Sequence, residues 1–234
     1  MQLKILSAGA AQGVVTGLAD EFRARTGYEL DCSFGAVGAM KEKLLAGAPA
    51  DLIILTHALI AGLVAEGKLA PDSSADLGRV RTGVAVRAGD PLPDVSSADA
   101  LRKTLLAAAG IFFPDPQKAT AGIHFAHVLD TLGVRSELEP RLKTYPNGAT
   151  AMREMAQSKG ERLVGCTQVT EINNTPGVVL VGLLPSEFEL ATVYSAGVCT
   201  GAASAQAARQ FIALLAGEDT RALRVKAGFE LGAA

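Results

Sequence analysis

The feature that most constrains the fold is a recurring unit: a short apolar run, a turn of small residues, then a segment with helical periodicity. "LKILS" passes through "AGAAQ" into a segment where Val14, Leu18 and Phe22 share one face, because i, i+4, i+8 spacing follows the helical period. "YELDCSF" then alternates Leu30, Cys32 and Phe34 as a strand does. "FGAVGAMKEKLLAGAPAD" places Met40, Leu44 and Leu45 on one helical face, "LIIL" reads as a buried strand, and residues 57–66 resume the helical pattern. This β-α-β-α-β-α order predicts an α/β fold with a parallel sheet covered by helices.

A second series follows. "RVRTGVAV" at 79–86 reads as a strand and leads to a loop with Asp90, Pro91 and Pro93. Helix 97–109, strand "IFF" at 111–113, helices 121–133 and 148–158 and strand "LVGCTQ" come next. "VVLVGLL" and "ELATVYSAGV" suggest two more strands, and helices near 204–216 and 218–226 close the chain. A chain of 234 residues accommodates one large α/β domain or two smaller lobes. No linker, repeat or low-complexity tract separates the series, so two lobes would be joined by strands crossing between them.

Composition excludes several functions. With 49% hydrophobic residues, 20% charged residues and a net charge of −2, the chain has no basic surplus, and it carries no RNA-binding motif; nucleic acid is not an expected partner. No apolar segment reaches the roughly 18 residues of a membrane span, so no membrane insertion is expected. Cys32, Cys166 and Cys199 lie far apart without metal-ligand spacing and read as structural thiols. His124 and His127 stand at i, i+3, yet no Glu-containing zinc motif accompanies them, so no metal is expected. A Walker-type loop, a dinucleotide fingerprint and a nucleophile elbow are all absent, which predicts no cofactor. Met1 runs directly into "LKIL" with no room for a signal peptide; as written the chain is expected in the cytoplasm, or in the periplasm if an export signal has been removed.

Four strand-to-helix turns either carry chemistry or serve only tight turning and close packing: "SAGAAQ" at 7–12, "FGAVGA" at 34–39, "KATAGIH" at 118–124 and "PNGAT" at 146–150. Each offers unpaired backbone N–H groups and the positive end of a helix dipole, which suits an anion. In open α/β sheets, ligands gather beside such strand ends.

In order and wording, these segments resemble the periplasmic molybdate-binding protein family, within the type II solute-binding proteins of ABC transporters. The resemblance is carried by "LSAGAAQGV", "FGAVGAMKEKLLAGAPADLII", "DPQKATAG" and "YSAGVCTGAASAQAARQFIALLAGEDTRALRVKAGFE". It implies a two-lobed type II periplasmic-binding-protein-like fold with crossing strands and an interlobe cleft. Residues 1–79 with 197–234 would form one lobe and 80–196 the other. It also implies a small anionic ligand and, as partner, an ABC-transporter membrane component. Ser7 and the backbone groups at Ala10, Gly35, Ala36, Val37 and Gly38 are then expected to face the ligand.

Molybdate binders place small hydroxyl side chains in the first two loops, where this chain has Ala10 and Val37, and often a Tyr in the later strand, where it has "GCTQVTE". What remains favours a carboxylate ligand. Arg81, at the start of a crossing strand, offers a guanidinium able to bind a carboxylate through two parallel hydrogen bonds, or else forms a salt bridge. Thr120 and Asn147 either contact ligand or cap their helices. Thr167 and Gln168 end an apolar strand and face either a cleft or the opposite lobe. Aconitate isomerase looks like a member of the wider family, so a carboxylate isomerase is the alternative to a binding protein. Its base would be His57, His124 or Glu171, the last otherwise expected to be a solvent-exposed helix residue.

Overall fold

Apolar runs become strands and periodic segments become helices nearly in the predicted order. The computed structural model describes residues 1–232, with strands β1 Gln2–Ala8, β2 Glu29–Gly35 and β3 Leu52–Thr56 at the start. Helices α1 Gln12–Gly17, α2 Ala19–Thr26, α3 Val37–Leu45 and α4 His57–Ala65 alternate with them. The long strand β4 Ala75–Arg87 leads to α5 Ala98–Ala107, β5 Gly110–Pro114, α6 Thr120–Thr131, α7 Arg135–Leu138 and β6 Leu142–Tyr145. Then come α8 Gly148–Gln157, β7 Leu163–Gln168, α9 Val169–Asn173, β8 Val178–Leu183 and β9 Ala191–Val198, before α10 Ala205–Ala216 and α11 Arg221–Ala227.

The chain divides into two units, Met1–Val80 with the segment from Thr192 onward, and Arg81–Ala191. The divisions fall inside β4 and at the start of β9, so each strand passes from one unit to the other. In the first unit the strands run β2-β1-β3-β9, parallel except for β9 against β3. Its core includes Leu3, Ile5, Leu52, Ile54, Phe22 and Phe211, with the two rings in edge contact at 4.9 Å.

In the second unit the order is β4-β7-β5-β6, with β8 pairing β4; β5 is parallel to β6 and β7, and β4 is antiparallel to β7 and β8. Strand alternation divides its core in two. Ile111, Phe113, Val164 and Val84 pack with Leu101 and Leu105 of α5 and Phe125 and Leu129 of α6. Phe112, Leu163 and Ala85 pack on the other face with Met152 and Met155 of α8 and Ile172 of α9. Among the described residues, no helix is long and apolar enough to cross a membrane.

Two details differ from the sequence expectation. The segment through Val14, Leu18 and Phe22 is broken at Leu18 into α1 and α2, although all three side chains are buried. Just before the break, the Thr16 hydroxyl donates to the Gln12 carbonyl at 2.9 Å, a back-bond that loosens the helical ladder. Strand β6 and the four-residue helix α7 were not expected, and the helix expected at Glu171 is the five-residue α9. β6 is a four-residue edge strand with no buried residue, so only its pairing with β5 defines it.

Candidate functional site

In the first unit, parallel register aligns three strand ends. Ser7 pairs with Phe34 and with Ile54, and Ala8 pairs with Gly35. The segments holding Ala10, Gly35, Ala36, Val37 and Gly38 therefore leave the sheet at one edge, together with His57, the first residue of α4. Helices α3 and α4 begin there after Ala36 and Thr56, and neither N-cap side chain bonds its helix. Ser7 is fully buried and its hydroxyl donates to the Ala8 carbonyl at 3.0 Å, so what this turn presents is backbone rather than a hydroxyl.

His57 does not stand alone at this edge. Its Nδ1 lies 2.9 Å from Asp76 Oδ1 and 3.3 Å from Ser195 Oγ, while Ser195 Oγ donates to the same Asp76 oxygen at 2.5 Å. Burial works to raise the Asp76 pKa, but the hydrogen bonds from Ser195 and His57 outweigh it, and the carboxyl is held below its usual range. Sequence reasoning named His57 and missed Asp76 and Ser195. They lie 19 and 138 positions away from it, and only sheet pairing of Leu55 with Ser195 brings the last one near.

The second unit repeats the arrangement at the ends of β5, β6 and β7, where Pro114 pairs with Tyr145 and Phe112 with Gly165. A cavity of about 480 Å³ opens here, lined by Asp115, Gln117, Thr144 and Tyr145 among others. Thr120 is the first residue of α6, whose N-cap is Ala119 without a side-chain bond. Asn147 does cap α8, its Oδ1 accepting from Thr150 N at 2.9 Å. His124 turns away from the helix starts; its Nε2 is 2.8 Å from the Phe188 carbonyl oxygen, and His127 is exposed. Arg81 pairs with Glu189 at 3.4 Å.

Glu171 corrects an expectation. It is buried, not solvent-exposed, at 5% exposure. Its carboxylate accepts from the Thr167 hydroxyl at 2.5 Å and from the backbone N–H groups of Gly148, Ala149 and Gln168. The chain thus supplies its own acceptor to the "PNGAT" helix start. Burial pushes the Glu171 pKa up, against the pull of those four donors. Gly148 makes the contact possible, since a Cβ there would lie 1.9 Å from Thr167 Oγ1 and 2.1 Å from Glu171 Oε2.

Beside Glu171 lie buried polar side chains without hydrogen-bond partners. Gln168 is 2% exposed, and neither its Nε2 nor its Oε1 has a partner. Thr82 is its direct cross-strand neighbour, so the two side chains share a face, and Thr170 follows in the first turn of α9. The hydroxyls of Thr82 and Thr170 are likewise buried and unpartnered. An orphaned buried polar group costs about 1–3 kcal/mol, so such groups gather where a ligand or water satisfies them. Thr82 and Thr170 gave no sequence signal, because a single Thr in a strand or a helical turn is ordinary.

The remaining chemistry is quiet. Burial raises the thiol pKa of Cys32 to about 11 and of Cys199 to about 12, and raises that of Cys166 further, so none is a ready nucleophile. An apolar cavity of about 340 Å³ lined by Pro91, Thr104, Ala107 and Leu163 sits at the opening residue of β7, at the other end of the strand from Gln168.

Comparison with known proteins identifies the fold and the family. The chain is 30% identical over 229 residues to aconitate isomerase from a Pseudomonas species, covering 93% of this chain and 83% of that one. The periplasmic molybdate-binding protein of Azotobacter vinelandii superposes with a TM-score of 0.82 at 22% identity, over 99% of this chain and 100% of that one. The sulfate-binding protein SubI from Mycobacterium tuberculosis gives 0.75 at 19% identity, over 98% and 86%. These likenesses establish the two-lobed type II periplasmic-binding-protein fold. A family model for the bacterial extracellular solute-binding protein matches residues 3–230, and the chain belongs to that family.

Proposed function

We propose that the protein binds a small carboxylate anion in preference to molybdate. The observation that carries this reading is the group of unpartnered buried polar atoms on Gln168, Thr82 and Thr170, beside strand ends whose helix starts favour negative charge. An amide and two hydroxyls offer both donors and acceptors, as fits a ligand of mixed polarity held with a few ordered waters, whereas a fully ionised tetraoxyanion only accepts. Ala10 and Val37 supply no hydroxyl at the first unit's edge, and the relative named aconitate isomerase supports a polycarboxylate. As a solute-binding protein it would work outside the cytoplasmic membrane and pass its solute to an ABC-transporter membrane component. The same relative supports a second reading, in which the bound carboxylate is isomerised rather than delivered.

Calorimetric titration with trans-aconitate, cis-aconitate, citrate, molybdate and sulfate tests the first reading. Carboxylates are expected to bind at least about tenfold more tightly than either tetraoxyanion, a difference of about 1.4 kcal/mol. Tight molybdate binding with no carboxylate response would overturn it. Gln168→Met is expected to lower carboxylate affinity about tenfold or more while raising the melting temperature of the unliganded protein by a few degrees, since removing orphaned polar atoms of similar volume relieves their desolvation cost. A lowered melting temperature would show that Gln168 serves the fold instead.

A further inference from the structure

The apolar cavity of about 340 Å³ lies wholly within the second unit, and its walls are held open by polar bonds behind them. Arg87 donates to both carboxylate oxygens of Asp90, at 2.9 and 3.2 Å, and to the carbonyls of Ser158 and Gly160 at 2.8 and 2.6 Å. One guanidinium thus clamps the loop that carries Pro91 and Pro93 to the segment that leads into β7. The Thr104 hydroxyl ties the far side of that loop to α5, donating to the Asp94 carbonyl at 2.8 Å. With two prolines fixed between these anchors, the loop cannot fold in to fill the space. An apolar cavity of about 150 Å³ already holds a benzene molecule, so this one has room for a ring with a substituent.

The charges that line it have a sign. Asp90 is spent on Arg87, and Arg141 satisfies the negative end of α5 by donating to the carbonyls of Leu106 and Ala108 at 2.8 and 2.9 Å. Lys103 meets only Asp99 at 3.8 Å, with both side chains largely exposed, a pairing worth little. Among the described residues, no hydrogen bond or ion pair engages the Arg162 guanidinium. Its backbone stands at a φ of +53°, where glycine is the comfortable residue, and its carbonyl accepts from Ala109 N at 3.0 Å. The lining therefore offers two uncommitted cations beside an apolar hollow.

We propose that this cavity is a second ligand site, which takes a monocarboxylate with an apolar body about the size of a substituted benzene ring. The body packs against Pro91, Leu163 and Val164, and the carboxylate meets Arg162 and Lys103, the planar guanidinium matching it through two parallel hydrogen bonds. Leu163 and Gln168 are the first and last residues of β7, so the cavity stands about 16 Å along the strand from the unpartnered amide. The two sites are separate, and this one does not depend on the carboxylate reading of the other.

The probe is octanoate, titrated calorimetrically into the full chain and followed by methyl NMR. One equivalent is expected to saturate the protein and to shift the methyl signals of Val86, Leu163 and Val164, with 1-octanol at least about tenfold weaker and acetate without effect on them. Arg162→Gly should lower octanoate affinity about tenfold or more while the melting temperature of the unliganded protein holds or rises, because glycine suits the backbone there. Ala107→Phe, at an exposed lining position that tolerates a ring, should abolish the methyl shifts. Gln168→Met should leave the octanoate Kd within about threefold, since that side chain stands at the other end of β7. No saturable binding, equal affinity for 1-octanol, or affinity that survives both Arg162→Gly and Ala107→Phe would overturn the proposal. So would a dimer in sedimentation that Ala107→Phe dissolves and octanoate leaves unchanged, which would give the cavity to a second copy of the chain. None of these outcomes touches the carboxylate reading, whose own test turns on Gln168.

Discussion

Glu171→Ala is expected to destabilise the protein by about 3–5 kcal/mol, because it strips the acceptor from four buried donors at once and each orphan costs about 1–3 kcal/mol before any water enters. For a chain of this size that is a fall in melting temperature of roughly 10 °C. The donors are the Thr167 hydroxyl and the N–H groups of Gly148, Ala149 and Gln168. Glu171→Gln keeps one acceptor oxygen and should cost much less. The pH dependence has a definite sign. With its folded pKa raised above the ordinary 4.5, Glu171 contributes stability that is fully present below that value and is lost as pH rises through the folded pKa. Thermal melts across a pH series should show wild type losing stability upward from the ordinary glutamate range, a slope that Glu171→Gln lacks. A melting temperature unchanged in Glu171→Ala would mean that the α8 start does not depend on an internal carboxyl acceptor.

Gly122→Ala is expected to cost about 3 kcal/mol, at the upper end of ordinary overpacking. A Cβ at Gly122 would lie 2.3 Å from the carbonyl oxygens of both Pro114 and Asp115. These are backbone atoms at the end of β5, so no rotamer change relieves the overlap and α6 must move off the strand. Gly62→Ala in α4 is the control, because a Cβ added there would meet nothing within 4 Å and alanine is the better helix former. That variant should hold or gain up to about 1 kcal/mol. Since α6 begins at the strand-end cavity, Gly122→Ala should also weaken carboxylate binding. Equal melting temperatures for the two variants would deny that α6 is seated by close contact with β5.

Catalysis and delivery place different demands on this scaffold. A delivery protein needs only affinity and release, and gains nothing from an oriented base. Ser195 and Asp76 nevertheless meet His57 Nδ1 from two other strands. The cluster ties β4 and β9 to the start of α4.

The strands and helices were legible because they rest on local rules. Period-2 and period-3.6 apolar patterns, such as Ile111–Phe112–Phe113 and Met152 with Met155, assign each side chain to a face whatever lies far away in the chain. Elements too short for such a pattern, β6 and α7, escaped notice because four residues carry no readable period. The small-residue turns were legible as anion-friendly for the same local reason, since every helix start carries unpaired N–H groups. Which of those starts is free is a tertiary matter. The Glu171 carboxylate, well beyond "PNGAT" in the chain, fills one of them, while the side-chain amide of Gln168, one helical turn earlier, is left with nothing to bond. Asp76 and Ser195 reach His57 only through sheet register. Sequence therefore sets the inventory of donors and acceptors, and long-range pairing decides which are spent inside the fold and which are left unpartnered.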